Sequence, residues 1–202
     1  MIMLSLDSLS FKHGYWSSDF VITVPNLEVS DEDYLEKKKE GRKEGRKEAF
    51  YIPATHECSY DDFKRAIGNV DDWTMVNKEE RKKIKWEHRR EGRWIWVEAS
   101  DPCPRQEMSF DAMCESIKLL SLEEYVIVCA FHFRQTGQLL DQRAWTFLST
   151  LWDAGCVEQG VLFAMGLNIY RAEPEFRRST ITFQGGRAYE EVEKEEITLI
   201  LA

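Results

Sequence analysis

Residue patterns typical of β-strands occur at both ends of the chain, and helical periodicity occupies the middle. Apolar residues recur at every second position over residues 2–6, and β-branched residues are frequent in 179–183 and 196–201. We therefore predict an α+β fold. A mainly antiparallel sheet, built from N- and C-terminal strands, would carry a central helical layer, residues 109–166, packed on one face.

Three helix starts are marked in the central segment. Ser109 precedes an apolar stripe, and Ser121 with Glu124 has the spacing of a capping box. The helix after Ser121 would be buried, although its β-branched residues leave a central strand as the alternative for residues 125–133. Asp141 is predicted to cap a third helix. Its inward face would carry Ala144, Trp145, Leu148, Leu151 and Trp152.

Glycines mark the expected ends of these elements. Gly137 is predicted to end the second helix, and Gly155 suits the position just after the third. Gly185 and Gly186 can take the positive φ of a tight hairpin turn. Residues 161–170 are apolar and fit either a helix or a strand.

The length of 202 residues, 43% of them hydrophobic, predicts a single α+β domain spanning residues 1–202. Two prolines in the segment 100–106 exclude a helix interior and mark a possible sub-boundary. Residues 31–48 contain Glu-Gly-Arg-Lys twice and almost no apolar residue. We predict a charged flexible loop or a frayed helix there.

The charge of the chain is uneven. The net charge is −9, which makes the whole chain a poor non-specific ligand for nucleic acid or for an anionic membrane. By contrast, residues 37–48 and 78–93 each carry a net charge of +4. Capping-box spacing at the start of 77–91 predicts a polar helix whose apolar residues are Ile84 and Trp86.

Residue spacings typical of catalytic or metal-binding motifs are missing from the sequence. There is no nucleophile elbow, phosphate-binding loop or Cys-x-x-Cys pair, and His56 with Cys58 lacks the second pair that structural zinc needs. Cys129 and His132 lie one helical turn apart among apolar residues, which favours a buried thiol and a core imidazole over a catalytic dyad. We predict no catalytic residue, metal or cofactor and lean away from an enzyme, although a site assembled in space remains an alternative.

Five widely spaced cysteines are typical of reduced thiols, and we expect a cytoplasmic protein. The longest apolar run, residues 125–133, is too short to span a membrane, so no membrane partner is expected. The oligomeric state is not indicated by the sequence.

Four tryptophans are candidates for a partner-binding surface, with core packing as the alternative for each. A strand is predicted over residues 93–97, with Trp94 and Trp96 on one face and the aliphatic residues on the other. The candidates are Trp73, Trp86, Trp94 and Trp96.

We predict a non-catalytic protein–protein interaction protein, such as an accessory subunit, adaptor or inhibitor. It would dock through residues 73–97, with 31–48 adding electrostatic steering. The alternative is a nucleic-acid-associated protein that uses the basic stretches 37–47 and 78–93. The candidate phosphate contacts are Arg42, Arg46, Lys78, Lys82, Lys85 and Arg89. A winged-helix arrangement, with 142–154 as its recognition helix, has too little positive charge on that helix to favour DNA binding.

Overall fold

The computed structural model describes residues 35, 47–52, 79, 82–85, 91–99, 103–166, 168–180 and 184–191. Within these ranges the chain has two α-helices, seven strands and a 3-10 helix, so the predicted α+β class is confirmed. In chain order the elements are β1 (Lys47–Ile52), β2 (Arg93–Glu98), α1 (Phe110–Ser116), α2 (Leu122–Thr136), β3 (Trp145–Trp152), β4 (Gly160–Met165), β5 (Asn168–Ala172), the 3-10 helix (Pro174–Arg178), β6 (Gln184–Gly186) and β7 (Tyr189–Glu191).

The described strands form two sheets, where the sequence predicts one. Sheet 1 has the order β1-β2-β7 and is antiparallel throughout. Sheet 2 has the order β5-β4-β3-β6 and is antiparallel except for the parallel pair β3–β6. Because only two residues separate β6 from β7, the chain passes directly from sheet 2 to sheet 1 there.

Three separate segments cover the edge of β3 that faces away from β4. The short strand β6 pairs with the beginning of β3. Further along, the Ser149 N–H donates to the Leu120 carbonyl oxygen at 2.8 Å. Ile84 then forms an antiparallel bridge with Trp152 at the end of the strand.

The main core lies where α2 packs between the inner faces of the two sheets. Sheet 1 contributes Ile52 and Ile95, and sheet 2 contributes Leu148 and Leu162. The consecutive residues Val126, Ile127 and Val128 of α2 are all buried, as predicted for a helix enclosed on every side. A second core cluster joins α1 to the opposite face of sheet 2, so sheet 2 is buried on both faces.

The predicted starts of α1 and α2 and the predicted end of α2 are confirmed. Ser109 accepts a hydrogen bond from the Ala112 N–H, and the capping box of α2 is closed in both directions. In that box the Ser121 N–H donates to Glu124 at 2.9 Å, and the Glu124 N–H donates to the Ser121 hydroxyl at 3.2 Å. Gly137 follows α2 with a φ of +74°.

The third helix predicted from Asp141 is wrong, because residues 145–152 form strand β3. Burial on both faces of sheet 2 places apolar residues on both sides of β3, and that pattern resembles an amphipathic helical stripe. The predicted helical layer is therefore restricted to α1 and α2, and a recognition helix over 142–154 is excluded. Gly155, with a φ of +76°, lies in the loop between β3 and β4 instead of ending a helix.

The described part of the segment 161–170, which fits either type of structure, belongs to the antiparallel hairpin β4–β5. The hairpin turn predicted at Gly185 and Gly186 is wrong, since both glycines lie within β6. A Cβ atom on Gly186 would lie only 2.6 Å from the Leu119 side chain. Close packing, and not a turn, therefore accounts for this glycine.

The polar helix predicted over residues 77–91 is interrupted at residues 82–84. Glu79 is helical, but residues 82–83 form a turn and Ile84 forms the bridge to β3. The β patterns at 2–6 and 196–201 lie outside the described residues, as does most of the charged segment 31–48.

Candidate functional site

The strand predicted over residues 93–97 is confirmed as β2, and its Trp94 forms a partly exposed aromatic pair with a residue of β1. Trp94 lies opposite Tyr51 of β1, with their ring centroids 5.6 Å apart and their planes tilted by 58°. Their neighbours Ile52 and Ile95 belong to the main core. Because side chains alternate along a strand, Trp94 lies on the face opposite to Ile95, the arrangement predicted from the sequence. We call Tyr51 and Trp94 the aromatic pair.

The other tryptophan candidates differ from Trp94. Trp96 shares its face of β2 but is only 4% exposed, so its ring is enclosed within the chain instead of offered to a partner. Trp73 and Trp86 lie outside the described residues. Of the four predicted contact residues, the structure therefore describes one on the surface, Trp94.

Two of the predicted phosphate contacts are described, and both are exposed. Lys82 has a side chain that is 66% exposed and lies 2.9 Å from the Glu79 carboxylate. Lys85 is also exposed, whereas Ile84 between them is buried in the main core. This anchoring holds the two lysines at the surface. Arg42, Arg46, Lys78 and Arg89 lie outside the described residues.

Sequence reasoning missed a buried cluster around Arg187. The Arg187 guanidinium donates to both carboxylate oxygens of Asp141, at 2.9 and 2.5 Å, and to the backbone carbonyl of Glu98. The Tyr125 hydroxyl lies 3.1 Å from the same carboxylate and 2.9 Å from the Gly166 carbonyl oxygen, and it can donate to either. Burial, followed by the Asp141 charge, raises the pKa of Tyr125 well above its ordinary value. No short-range pattern connects these five residues, which come from five separate parts of the sequence.

A second ion-pair network lies beside the aromatic pair. Arg93, the residue before Trp94, donates to Glu124 at 2.5 Å, to the Tyr189 hydroxyl at 3.0 Å and to Glu191. It thereby ties β2 to the first turn of α2 and to β7. The same Glu124 carboxylate closes the capping box, so this network fixes the backbone that presents Trp94.

Cys129 and His132 do not form a dyad suited to nucleophilic catalysis. Burial raises the pKa of the Cys129 thiol to about 12, so the thiol keeps its proton at neutral pH. His132 is directed toward another residue, with its Nδ1 3.7 Å from a Glu48 carboxylate oxygen. The predicted buried thiol and core imidazole agree with this geometry.

A further aromatic cluster, absent from the sequence predictions, lies on sheet 2. Trp145 packs edge-on against Phe163 and Tyr170, at centroid distances of 5.0 and 4.5 Å. All three rings are partly exposed. Trp145, which the sequence places on the inner face of a helix, is thus only half-buried in a strand.

Across the part of the chain that the structure describes, no three His, Cys, Asp or Glu residues are grouped as metal ligands. No helix in that part is long and apolar enough to cross a membrane. Comparison of the chain with models of protein families, with curated proteins and with solved structures gives no match.

Proposed function

We propose that this chain is a non-catalytic protein–protein interaction protein, an accessory subunit, adaptor or inhibitor, that docks through the aromatic pair. The observation that carries the proposal is the position of Tyr51 and Trp94. Both rings are partly exposed. The next residue along each strand, Ile52 or Ile95, is in the main core, and Tyr51 also packs against that core.

Tyrosine and tryptophan are the side chains that most often dominate binding energy at protein interfaces. They provide a large apolar area with few rotatable bonds, together with a polar group that hydrogen-bonds at the rim. The aromatic pair also has a rigid backbone, because Arg93 joins its strand to α2 and β7. A preorganised surface loses less conformational entropy when a partner binds.

The proposal includes a cytoplasmic location. Cys103, Cys114, Cys129 and Cys156, the cysteines within the described residues, are not in disulfides. Two of them are exposed, which is typical of a reducing compartment.

The test is affinity capture of the tagged protein from its native cells, with and without nuclease. Wild type is compared with Trp94→Ala and with Trp145→Ala, a matched control that removes a partly exposed tryptophan from sheet 2. We expect a stoichiometric protein partner that survives nuclease, that is retained by Trp145→Ala and that is lost with Trp94→Ala. Thermal unfolding of each variant shows whether the fold is intact.

Two results would contradict the proposal. If Trp94→Ala unfolds, its ring serves the core and not a partner. If folded Trp94→Ala retains the same partner, docking occurs elsewhere. Recovery of nucleic acid, or loss of the partner on nuclease treatment, would instead favour the nucleic-acid alternative and its exposed Lys82 and Lys85.

A further inference from the structure

Residues 103–107, which we call the strap, cross the outer side of β6. The Glu107 N–H donates to the Gln184 carbonyl at 3.0 Å, and the Gly186 N–H donates to the Pro104 carbonyl at 3.1 Å. The fit over Gly185 is tight, because a Cβ atom there would lie 2.4 Å from the Pro104 carbonyl oxygen. The strap includes residues 103–106 of the segment 100–106, which the sequence marks as a possible sub-boundary.

The backbone of the strap is strained at two positions. Arg105 has a φ of +57° and Glu107 a φ of +68°, in the left-handed region that residues with a Cβ disfavour. Glu107 is exposed, so burial of its own side chain does not offset this strain. Two such residues within three positions require outside contacts to hold the conformation.

An ion pair supplies the main outside contact. The Arg105 guanidinium donates to both carboxylate oxygens of Glu98, at 2.7 Å to Oε1 and also to Oε2. The Glu98 side chain is only 2% exposed, whereas that of Arg105 is 28% exposed. Glu98 is therefore buried at the end of β2, and the more exposed Arg105 attaches the strap to it.

The strap covers a thiol. Cys103 is 1% exposed and its Sγ donates to the Trp145 carbonyl oxygen at 3.3 Å. The same Sγ would lie 2.7 Å from a Cβ atom on Gly185, so Cys103 is pressed against β6. Movement of the strap away from β6 uncovers this sulfur.

We propose that the strap opens as a unit without unfolding of the core. This opening exposes Cys103 and the outer side of β6. The strain at Arg105 and Glu107 favours the open form, and the Arg105–Glu98 ion pair with the two backbone hydrogen bonds favours the closed form. Local segments of a protein can open at a lower free energy than global unfolding requires.

The chain carries its own reporters for this opening. Cys114 and Cys156 are exposed, whereas Cys129 is completely buried in α2 and is reached only through unfolding of the core. The native protein is treated with iodoacetamide in increasing urea, and alkylation of each cysteine is followed by peptide mass spectrometry. We expect Cys103 to react more slowly than Cys114 and faster than Cys129, with a weaker dependence on urea than Cys129 shows.

Two variants should shift the equilibrium between the closed and open strap in opposite directions. Glu107→Gly removes strain at an exposed position, and we expect it to slow Cys103 alkylation about fivefold. Arg105→Met keeps the strain but removes the ion pair, and we expect Cys103 alkylation to accelerate about tenfold relative to Cys129. Arg177→Met is the matched control, because it removes another partly exposed ion pair, with Asp111, that joins the 3-10 helix to α1 and not to the strap. It should leave the ratio of the Cys103 and Cys129 rates unchanged.

Equal rates and equal urea dependence for Cys103 and Cys129 would overturn the proposal, since the strap would then open only with the core. An unchanged Cys103 rate in both Glu107→Gly and Arg105→Met would overturn it as well. Neither result depends on the aromatic pair, so the proposed function is tested separately.

Discussion

The buried pair of Arg187 and Asp141 allows a quantitative prediction. Both side chains are fully buried, and two hydrogen bonds of 2.9 and 2.5 Å join them. Asp141→Asn removes the negative charge but keeps the size of the side chain. It also keeps a residue that tolerates the observed φ of +56°. The variant therefore leaves a buried guanidinium without its counter-charge and changes little else.

Breaking a buried ion pair by removing one partner typically destabilises a protein by about 3–5 kcal/mol. Domains of ordinary size are stable by about 5–15 kcal/mol, so Asp141→Asn should remove a large fraction of the total. For a chain of this length we expect the melting temperature to fall by roughly 6–20 °C. Urea titration, followed by tryptophan fluorescence, measures the loss in the free energy of unfolding.

The double variant Asp141→Asn with Arg187→Met is the decisive comparison. With the guanidinium also gone, no buried charge is left unpaired, so the double variant should lose at least ~1 kcal/mol less than the two single losses combined. A loss below ~1 kcal/mol in Asp141→Asn would refute the reasoning. So would additive losses in the double variant, because the two side chains would then not be coupled.

Three other predictions use different parts of the molecule. Ser121→Ala should lower the free energy of unfolding by about 1 kcal/mol in urea titration, because it removes one half of the capping box; an unchanged midpoint would contradict that role. Gly186→Ala should destabilise by about 1–3 kcal/mol in the same assay, since its Cβ would fall 2.6 Å from a neighbouring side chain. If the nucleic-acid alternative holds, replacing Lys82, Lys85 and Arg89 with Ser should abolish retention on heparin, and unchanged elution would dismiss it.

Local signals in this sequence predict the structure correctly where the structure depends on neighbouring residues. Ser109 and the pair Ser121 and Glu124 mark helix starts, because a capping side chain reaches a backbone N–H three residues away. Gly137 marks a helix end for an equally local reason, its left-handed φ. Such features are encoded within a single helical turn.

Features that depend on distant partners were not predicted. The apolar residues of 145–152 fit a helical stripe, and only the packing of α1 on one face of sheet 2 and α2 on the other makes them a strand. The sequence predicts a turn at Gly186, because it cannot show that Leu119 lies against this residue. The sequence predicts a helix cap at Asp141, because its partner Arg187 lies 46 positions away and cannot be inferred from neighbouring residues.

The candidate site was predicted in part for the same reason. The alternation of β2 correctly placed Trp94 and Trp96 on one face, but it could not show that Trp96 is enclosed while Trp94 is not. Tyr51, the ring partner of Trp94, is 43 positions away in the sequence, and only strand pairing reveals it.

Three separate segments pair with one edge of β3, and this arrangement has a consequence for the synthesis of the chain on the ribosome. Ile84 and Leu120 precede β3 and are present when it emerges, but β6 follows it by more than thirty residues. Until β6 has been made, the first part of β3 has an open backbone edge, and such edges pair with other chains. Slow translation or truncation before residue 184 should therefore favour aggregation of nascent chains over their folding.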